Sequence, residues 1–275
     1  MPWLPLLFIN LSSLLVGCLD SPPGTLKTAL GIGNRSMTEV PGILYSTKPI
    51  LYETGYEEWP YAYAGSCFPV RWQNNLYIVS AFHCYKNHQV KPEDTLYPIP
   101  TNTQSFFGFC CKLRASVNEA KDLKHYDQIL LQVAADIHSA EQISSVVASD
   151  LSDAGSVISL SDQKIRDVWL RGYLLENPVH AIEYERNNIR QQAYVTNGYL
   201  SSRKSMFDFC HMLKVRTPVP EGLSPNGMSG SPVYAIDQSY RDRFAGTVIE
   251  YNSYTDEFLV IDSSVLQELL RRENA

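Results

Sequence analysis

A serine stands between two glycines, with a proline close behind it, in the stretch GMSGSP at residues 227–232. Glycine, serine and proline are common turn formers, so a surface turn is one explanation for this stretch. The other explanation is chemical, because the glycines allow a tight bend that aims backbone N–H groups at one point beside the hydroxyl of Ser229. Such an arrangement is a nucleophile with an oxyanion hole, and it requires a base and a carboxylate elsewhere in the chain.

Two other stretches supply a base and a carboxylate. His83 follows an apolar, strand-like run in VSAFHCY, and Asp127 begins another such run in HYDQILLQV. Imidazole titrates near neutrality, so a histidine can take the proton of an attacking hydroxyl and return it to the leaving group. A buried carboxylate holds the imidazole in the useful tautomer and stabilises the imidazolium. The three stretches together favour acyl-transfer chemistry over a simple turn.

The order His83, Asp127, Ser229 and the motifs around these residues resemble the chymotrypsin-like (trypsin-fold) serine protease family. The matching motifs are a histidine–cysteine pair after an alanine, an aspartate followed by apolar residues, and a G-x-S-G-[GS]-P stretch. The resemblance covers roughly residues 60–270, and the GSP variant is similar to the bacterial glutamyl-endopeptidase branch.

The resemblance implies a serine endopeptidase that acts on protein or peptide substrates without a cofactor. It makes Ser229 the nucleophile, His83 the general base and acid, and Asp127 the carboxylate that orients the histidine. The backbone N–H groups of Gly227 and Ser229 would form the oxyanion hole. A catalytically inactive, protease-like module that binds peptides is the alternative.

Other residues of the same types compete for these roles. Asp122 lies in the same stretch as Asp127, which is favoured because the apolar run follows it immediately. Ser224 and Ser231 compete with Ser229, but neither lies between two glycines with a proline behind. The competing histidines are His88, His125, His138, His180 and His211.

The chain departs from the family at two positions near the candidate site. Met228 stands where many animal members have an aspartate that pairs with a newly cleaved N-terminus, so an ionic activation switch of that kind is not expected. Phe82, before the histidine, is bulkier than the residue that is usual there.

The candidate substrate pocket comprises Leu223, Ser224 and Val248. Leu223 stands where trypsin-like members carry an aspartate, and Val248 stands where the glutamyl-specific branch carries a histidine. Neither a basic nor an acidic preference is therefore supported, and an apolar or small side chain is expected at the cleavage position.

The composition is that of an ordinary globular protein of 275 residues, with a net charge of −6. The acidic balance and the lack of a Lys/Arg-rich run argue against nucleic acid as a partner. Short apolar runs between turn clusters predict an all-β protein with two antiparallel six-stranded barrels, at about 59–140 and 155–262. Ser264 and Gln267 predict a capping box for a C-terminal helix at 263–273. A monomer is expected.

The N-terminal segment predicts export. Its first 17 residues carry no charged side chain, and the run is shorter than a membrane span requires. LVGC at residues 15–18 resembles the bacterial lipobox, in which Cys18 would be lipidated and anchor the protein to a membrane; simple cleavage is the alternative. The predicted parts are a signal at 1–18, an arm at 19–58 and a protease domain at 59–275. A propeptide role for residues 25–55 is left open.

The predicted export of the protein bears on the state of its cysteines, because disulfides form in oxidising compartments. Cys67 and Cys84 flank a predicted hairpin, so an oxidising destination favours a disulfide between them. The pairing of the remaining three is left open by their spacing: Cys110, Cys111 and Cys210. Cys84 and His88 have a ligand-like spacing, but no second Cys/His pair follows, and no metal site is predicted.

Overall fold

The computed structural model describes residues 40–58, 60–91, 94–100, 106–113, 124, 127–174, 182–183, 188–189 and 192–273. Several expectations from the sequence fall outside these ranges: the export signal, Cys18 and its lipidation, and the competing residues Asp122, His125 and His180.

An open sheet forms the N-terminal unit. Its main strands follow the order β4-β1-β2-β3-β6-β5, all antiparallel, and β7 adds to β2 in parallel. The strands are β1 (Lys48–Glu53), β2 (Tyr61–Trp72), β3 (Asn75–Ala81), β4 (Thr95–Leu96), β5 (Phe109–Leu113), β6 (Gln128–Val133) and β7 (Ser149–Asp150).

The all-β prediction is confirmed, and the first of the two predicted barrels is a half-barrel sheet with an open edge. Among the described residues, a single bridge between Pro98 and Phe106 links the stretches beside the two edge strands β4 and β5. Pro98 and Pro100 lack the N–H groups that a longer ladder needs, which gives a physical reason for the open edge.

A closed six-stranded barrel forms the C-terminal unit, and this part of the prediction is confirmed. The strand order is β11-β12-β15-β14-β13-β8, and β8 pairs with β11 to close the barrel. Its strands are β8 (Ile165–Leu174), β11 (Gln192–Lys204), β12 (Cys210–Val215), β13 (Pro232–Asp237), β14 (Asp242–Asn252) and β15 (Glu257–Asp262). A short ladder of β9 (Ile182–Glu183) and β10 (Asn188–Ile189) precedes β11.

Three apolar clusters make up the core of the described residues. One lies within the barrel, and a second is centred on the open sheet but includes Ile249 and Ile261 of the barrel. The third, called the shared cluster, joins Phe68 and Val79 of the open sheet to Phe244 of the barrel and to Leu266 of the C-terminal helix. Most residues of β2 and β3 are buried, because both faces of these strands are covered over most of their length. The sequence there is accordingly a continuous apolar run rather than an alternating one.

The segment assigned to the N-terminal arm contributes to the open sheet. β1 lies between β4 and β2, and Leu44 and Ile50 are fully buried. Leu44 belongs to a 3₁₀ helix at Gly42–Ser46. Removal of residues 25–55 as a propeptide would thus take an inner strand out of the sheet.

Three α-helices are present in the described part of the chain: α1 (Phe82–His88), α2 (Ala140–Ser144) and α3 (Ser263–Glu273). The predicted C-terminal helix is confirmed as α3, but its predicted capping box is wrong. Asp262 accepts the backbone N–H of Ser264 at 2.9 Å, and the Gln267 side chain instead donates to the Leu151 carbonyl at 3.2 Å. No helix described here has the length and apolar character to cross a membrane.

We expect Leu266→Ala to lower the free energy of unfolding by about 2–5 kcal/mol, because this fully buried side chain of α3 joins the two units. Urea denaturation measures the change. Glu268→Ala, on the exposed face of the same helix, is the control and should change stability by less than about 0.5 kcal/mol. Equal effects of the two substitutions would contradict the role assigned to the shared cluster.

Candidate active site

His83 lies in the first turn of α1, directly after β3. Asp127 directly precedes β6, and β3 pairs with β6 so that Ala81 is opposite Gln128. This register places the residues that follow β3 beside the residue that precedes β6. The backbone N–H of Phe82 donates to the carbonyl of Asp127 at 3.3 Å and extends the pairing into the site.

The Asp127 carboxylate makes two hydrogen bonds to His83. Its Oδ2 lies 2.9 Å from Nδ1 of the imidazole, and its Oδ1 accepts the backbone N–H of His83, also at 2.9 Å. The Asp127 side chain is 13% exposed and the His83 side chain 34% exposed. The carboxylate therefore holds both the backbone and the ring of His83, and Nε2 is the ring atom left to face the cavity.

Ser229 lies between a 3₁₀ helix at Pro225–Met228 and β13. Gly230, the next residue, has φ of +86°, and a Cβ there would lie 2.0 Å from the Ser66 carbonyl oxygen. Only glycine fits this conformation and this space. The Gly230 N–H donates to the Val248 carbonyl at 2.8 Å, which fixes the turn against β14.

Strand β2 of the open sheet holds the segment that carries Ser229. The Gly227 carbonyl accepts hydrogen bonds from the Tyr63 hydroxyl at 3.0 Å and from the Ser66 hydroxyl at 2.7 Å. The Ser66 N–H donates to the Ser229 carbonyl at 2.8 Å. The roles of Tyr63 and Ser66 could not be predicted from the sequence, because nothing in it relates β2 to residues about 160 positions later.

The Ser229 hydroxyl does not donate to His83 in this structure. It donates to the backbone carbonyl of Ile249 at 3.3 Å, and Ile249 is skipped in the pairing of β14 with β15. Nε2 of His83 lies 3.8 Å from Sγ of Cys84. The structure therefore brings Ser229 and His83 to one cavity and pairs Nδ1 of His83 with Asp127. The Ser229 hydroxyl and Nε2 of His83 do not contact each other, because the hydroxyl bonds Ile249 and Nε2 lies beside Cys84.

That cavity has a volume of about 450 Å³ and is bordered by both units. On the barrel side the wall is largely apolar, with Met228, Val248 and Phe258. On the side of α1 it is polar, with Asn87 and His88. Glu250 also borders the cavity, and its carboxylate forms an ion pair with Lys124.

Of the three predicted pocket residues, only Val248 borders the cavity. Leu223 is half-buried and packs against the apolar cluster of the barrel instead. The Ser224 hydroxyl accepts the Asn226 N–H at 3.3 Å and caps the 3₁₀ helix. Gly227 is held beside the cavity but is not part of its wall.

The competing histidines that the structure describes have other surroundings. Nε2 of His138 accepts the backbone N–H of Gly108 at 2.8 Å. Nε2 of His211 lies 3.3 Å from the Asp262 carboxylate. His88 borders the cavity and lies beside the Tyr52 ring. None of the partners named for these three histidines is Ser229.

The predicted disulfide is not formed, because Cys67 and Cys84 are both free thiols and both buried. Their sulfur atoms are directed at different backbone carbonyls, Pro49 at 3.9 Å for Cys67 and Ser229 at 3.8 Å for Cys84. Cys110, which is exposed, and Cys210, which is buried, are also free thiols. No group of three or more potential metal-ligating side chains occurs among the described residues.

The pKa of His83 is raised by its neighbours. Burial of the ring lowers the pKa, but the hydrogen bonds that the imidazolium donates to the Asp127 carboxylate and to the Cys84 sulfur outweigh burial and raise it from 6.5 to about 10. Burial and the positive charge of His83 lower the pKa of His88. Of these two histidines, His83 is the one poised to carry a proton.

Comparison with known proteins finds solved structures that match this chain in fold. No protein-family model matches the chain, and no curated protein matches its sequence. The fold is similar to that of a thermostable serine protease, AL20, from an extremophilic microorganism, with a TM-score of 0.49 and 11% sequence identity. The match covers 83% of this chain and 96% of that protein.

Asp127→Asn should lower the pKa of His83, because the amide removes the negative charge that favours the imidazolium. A pKa raised in the folded state adds stability that is fully present below the unfolded value of 6.5 and is lost as the pH rises to about 10. Thermal unfolding across this range should show that loss in the unsubstituted protein and a smaller one in Asp127→Asn. The same loss in both proteins would contradict the pairing.

Proposed function

We propose that this protein is a serine endopeptidase. The observation that carries the proposal is the pair of hydrogen bonds that His83 donates to the Asp127 carboxylate, at a cavity that Ser229 also borders. A carboxylate that fixes a histidine beside a serine is the arrangement that acyl transfer requires. The resemblance of the sequence motifs to chymotrypsin-like proteases supports the same assignment independently.

The reaction begins when the Ser229 hydroxyl turns from the Ile249 carbonyl toward Nε2 of His83. Neutral His83 takes the hydroxyl proton as Ser229 Oγ attacks the peptide carbonyl, and Asp127 stabilises the imidazolium through Nδ1. The imidazolium then protonates the leaving amine, which leaves an acyl group on Ser229. Water, deprotonated by His83, hydrolyses this ester and restores the serine. Because neutral imidazole is the active base, turnover should rise as the pH approaches the pKa of His83.

The oxyanion that forms during attack would be held by the backbone N–H groups of Gly227 and Ser229. The two hydrogen bonds to the Gly227 carbonyl and the one to the Ser229 carbonyl keep this segment in place. Donors that need no rearrangement during the reaction are the ones that stabilise developing charge best.

A binding module without catalysis is the second candidate. The observation in its favour is that the Ser229 hydroxyl bonds the Ile249 carbonyl and not the imidazole. A fluorophosphonate probe separates the two candidates, because it reacts only with a serine that a base activates. Peptide binding without labelling of Ser229 would favour the module.

The cavity walls support a substrate class. His83 must protonate the leaving amine, so the leaving part of the peptide lies toward α1 and the acyl part lies toward the barrel. The side chain of the acyl residue would then contact Val248, Phe258 and Tyr251. The Tyr251 hydroxyl donates a hydrogen bond to the Asp256 carboxylate at 2.5 Å. No unpaired charge lies on this wall in the described chain, since Glu250 is neutralised by Lys124. We therefore propose cleavage after apolar residues.

The proposal also includes the expected cellular setting: an exported protein, released by cleavage of its signal or anchored through Cys18, that acts as a monomer. The similarity of its GxSGSP motif to the glutamyl-endopeptidase branch does not extend to acidic specificity here. An acidic side chain would need a cation, and the apolar Val248 borders the cavity instead.

Ser229→Ala should abolish peptide hydrolysis down to the residual rate that binding and the oxyanion hole support, about 10³–10⁴-fold over water. Ser231→Ala is the matched control, because Ser231 is a fully buried serine two residues away in the same turn. Hydrolysis of a labelled peptide, with folding checked by circular dichroism, measures both. Equal loss in the two variants would assign the effect to the turn and not to the nucleophile.

For peptides that differ only in the acyl-side residue, kcat/KM should be about 10²-fold higher with leucine or phenylalanine than with glutamate or arginine. Tyr251→Ala should change the ranking among apolar residues, because Tyr251 borders the cavity on the barrel side. Asn87→Ala, on the α1 side, should leave the acyl-side ranking unchanged. A preference for arginine or glutamate would contradict the assignment of the walls.

A further inference from the structure

The thiol of Cys84 lies between the two residues that are proposed to react. Its Sγ is 3.8 Å from Nε2 of His83 and 3.8 Å from the Ser229 carbonyl oxygen. The residue borders the cavity although only 2% of it is exposed. Gly65 makes room for the sulfur, because a Cβ there would lie 2.6 Å from Sγ.

This contact occupies the ring atom that catalysis needs. Nε2 must accept the proton of the Ser229 hydroxyl, and an imidazole nitrogen has one lone pair or one proton to share. The Ser229 hydroxyl meanwhile donates to Ile249. The sulfur of Cys84 accepts the proton that Nε2 carries in the imidazolium, which raises the pKa of His83 and leaves Nε2 without the lone pair that the Ser229 hydroxyl needs.

We propose that Cys84 is a positioning residue that holds His83 in a resting arrangement and restrains the activation of Ser229. This inference rests on the proposed function. In this role Cys84 forms no bond to the substrate and takes part in no covalent step. Substrate would shift the balance if it engaged the Ile249 carbonyl, because the Ser229 hydroxyl would then be released to compete for Nε2.

Cys84 and Asp127 act on different ring atoms of His83. Asp127 acts on the opposite ring atom, Nδ1, and the Cys84 thiol raises the pKa of His83 in addition to Asp127. His88 shares the helix α1 and the cavity wall. Glu250, from β14, borders the same cavity in its ion pair with Lys124.

The test compares Cys84→Ala with Cys67→Ala. Cys67 is the matched control because it is also a buried free thiol, but its sulfur contacts the Pro49 carbonyl and not His83. The first measurement is the titration of the His83 imidazole by NMR, which does not depend on activity. The second is the rate at which a fluorophosphonate probe labels Ser229 as a function of pH.

In Cys84→Ala the pKa of His83 should fall, the pH midpoint of labelling should fall with it, and the labelling rate should rise about 3- to 10-fold, the range for loss of one competing hydrogen bond. Cys67→Ala should leave all three unchanged, and Cys84→Ser should lie between Cys84→Ala and the unsubstituted protein. An unchanged His83 titration in both Cys84 variants, or slower labelling at every pH, would overturn the proposal. Absence of labelling in every protein would refute the proposed function, while the titration would still report on Cys84.

Discussion

The Asp127–His83 interaction is the constraint on which the candidate site depends. One carboxylate bonds both the backbone and the ring of the histidine, so the position of the base is set by the pairing of β3 with β6. A slip of one residue in that pairing would turn the side chains to the opposite faces of the sheet. The site is therefore as well defined as the register of two buried strands.

The two units of the protein share the site between them. The open sheet and the helix that follows it supply His83, Asp127 and the hydroxyl groups of Tyr63 and Ser66, while the barrel side supplies Ser229 and the apolar cavity wall. Hydrogen bonds from β2 to Gly227 and Ser229 hold the two contributions in contact. The apolar cluster shared by both units and α3 stabilises the same junction.

The parts of this picture that the sequence predicted depend on local signals. His83, Asp127 and Ser229 could be selected as candidates because each lies at the end or start of an apolar run. The C-terminal helix was predicted from a capping box at Ser264 and Gln267, and its cap was misassigned by two residues because Asp262 accepts the Ser264 N–H. The second barrel followed from regularly spaced strands.

The parts that the sequence did not predict depend on distant contacts or on rotamers. Leu223 was assigned to the pocket by position, yet its side chain packs into the barrel core. Cys67 and Cys84 were expected to pair, yet each sulfur is directed at its own carbonyl. The partner of the Ser229 hydroxyl is decided by one side-chain torsion and by the skipped residue Ile249 in β14, neither of which has a sequence signature.

We propose that His83 and Asp127 activate Ser229 for covalent attack, and trapping the acyl-enzyme would show whether they do. The protein would be mixed with an activated ester of an apolar amino acid, quenched in acid within the first turnover and mapped by peptide mass spectrometry. We expect one acyl group on the peptide that contains Ser229, reduced in Asp127→Asn and absent in Ser229→Ala. An acyl group on Cys84, or none at all in the unsubstituted protein, would contradict the account.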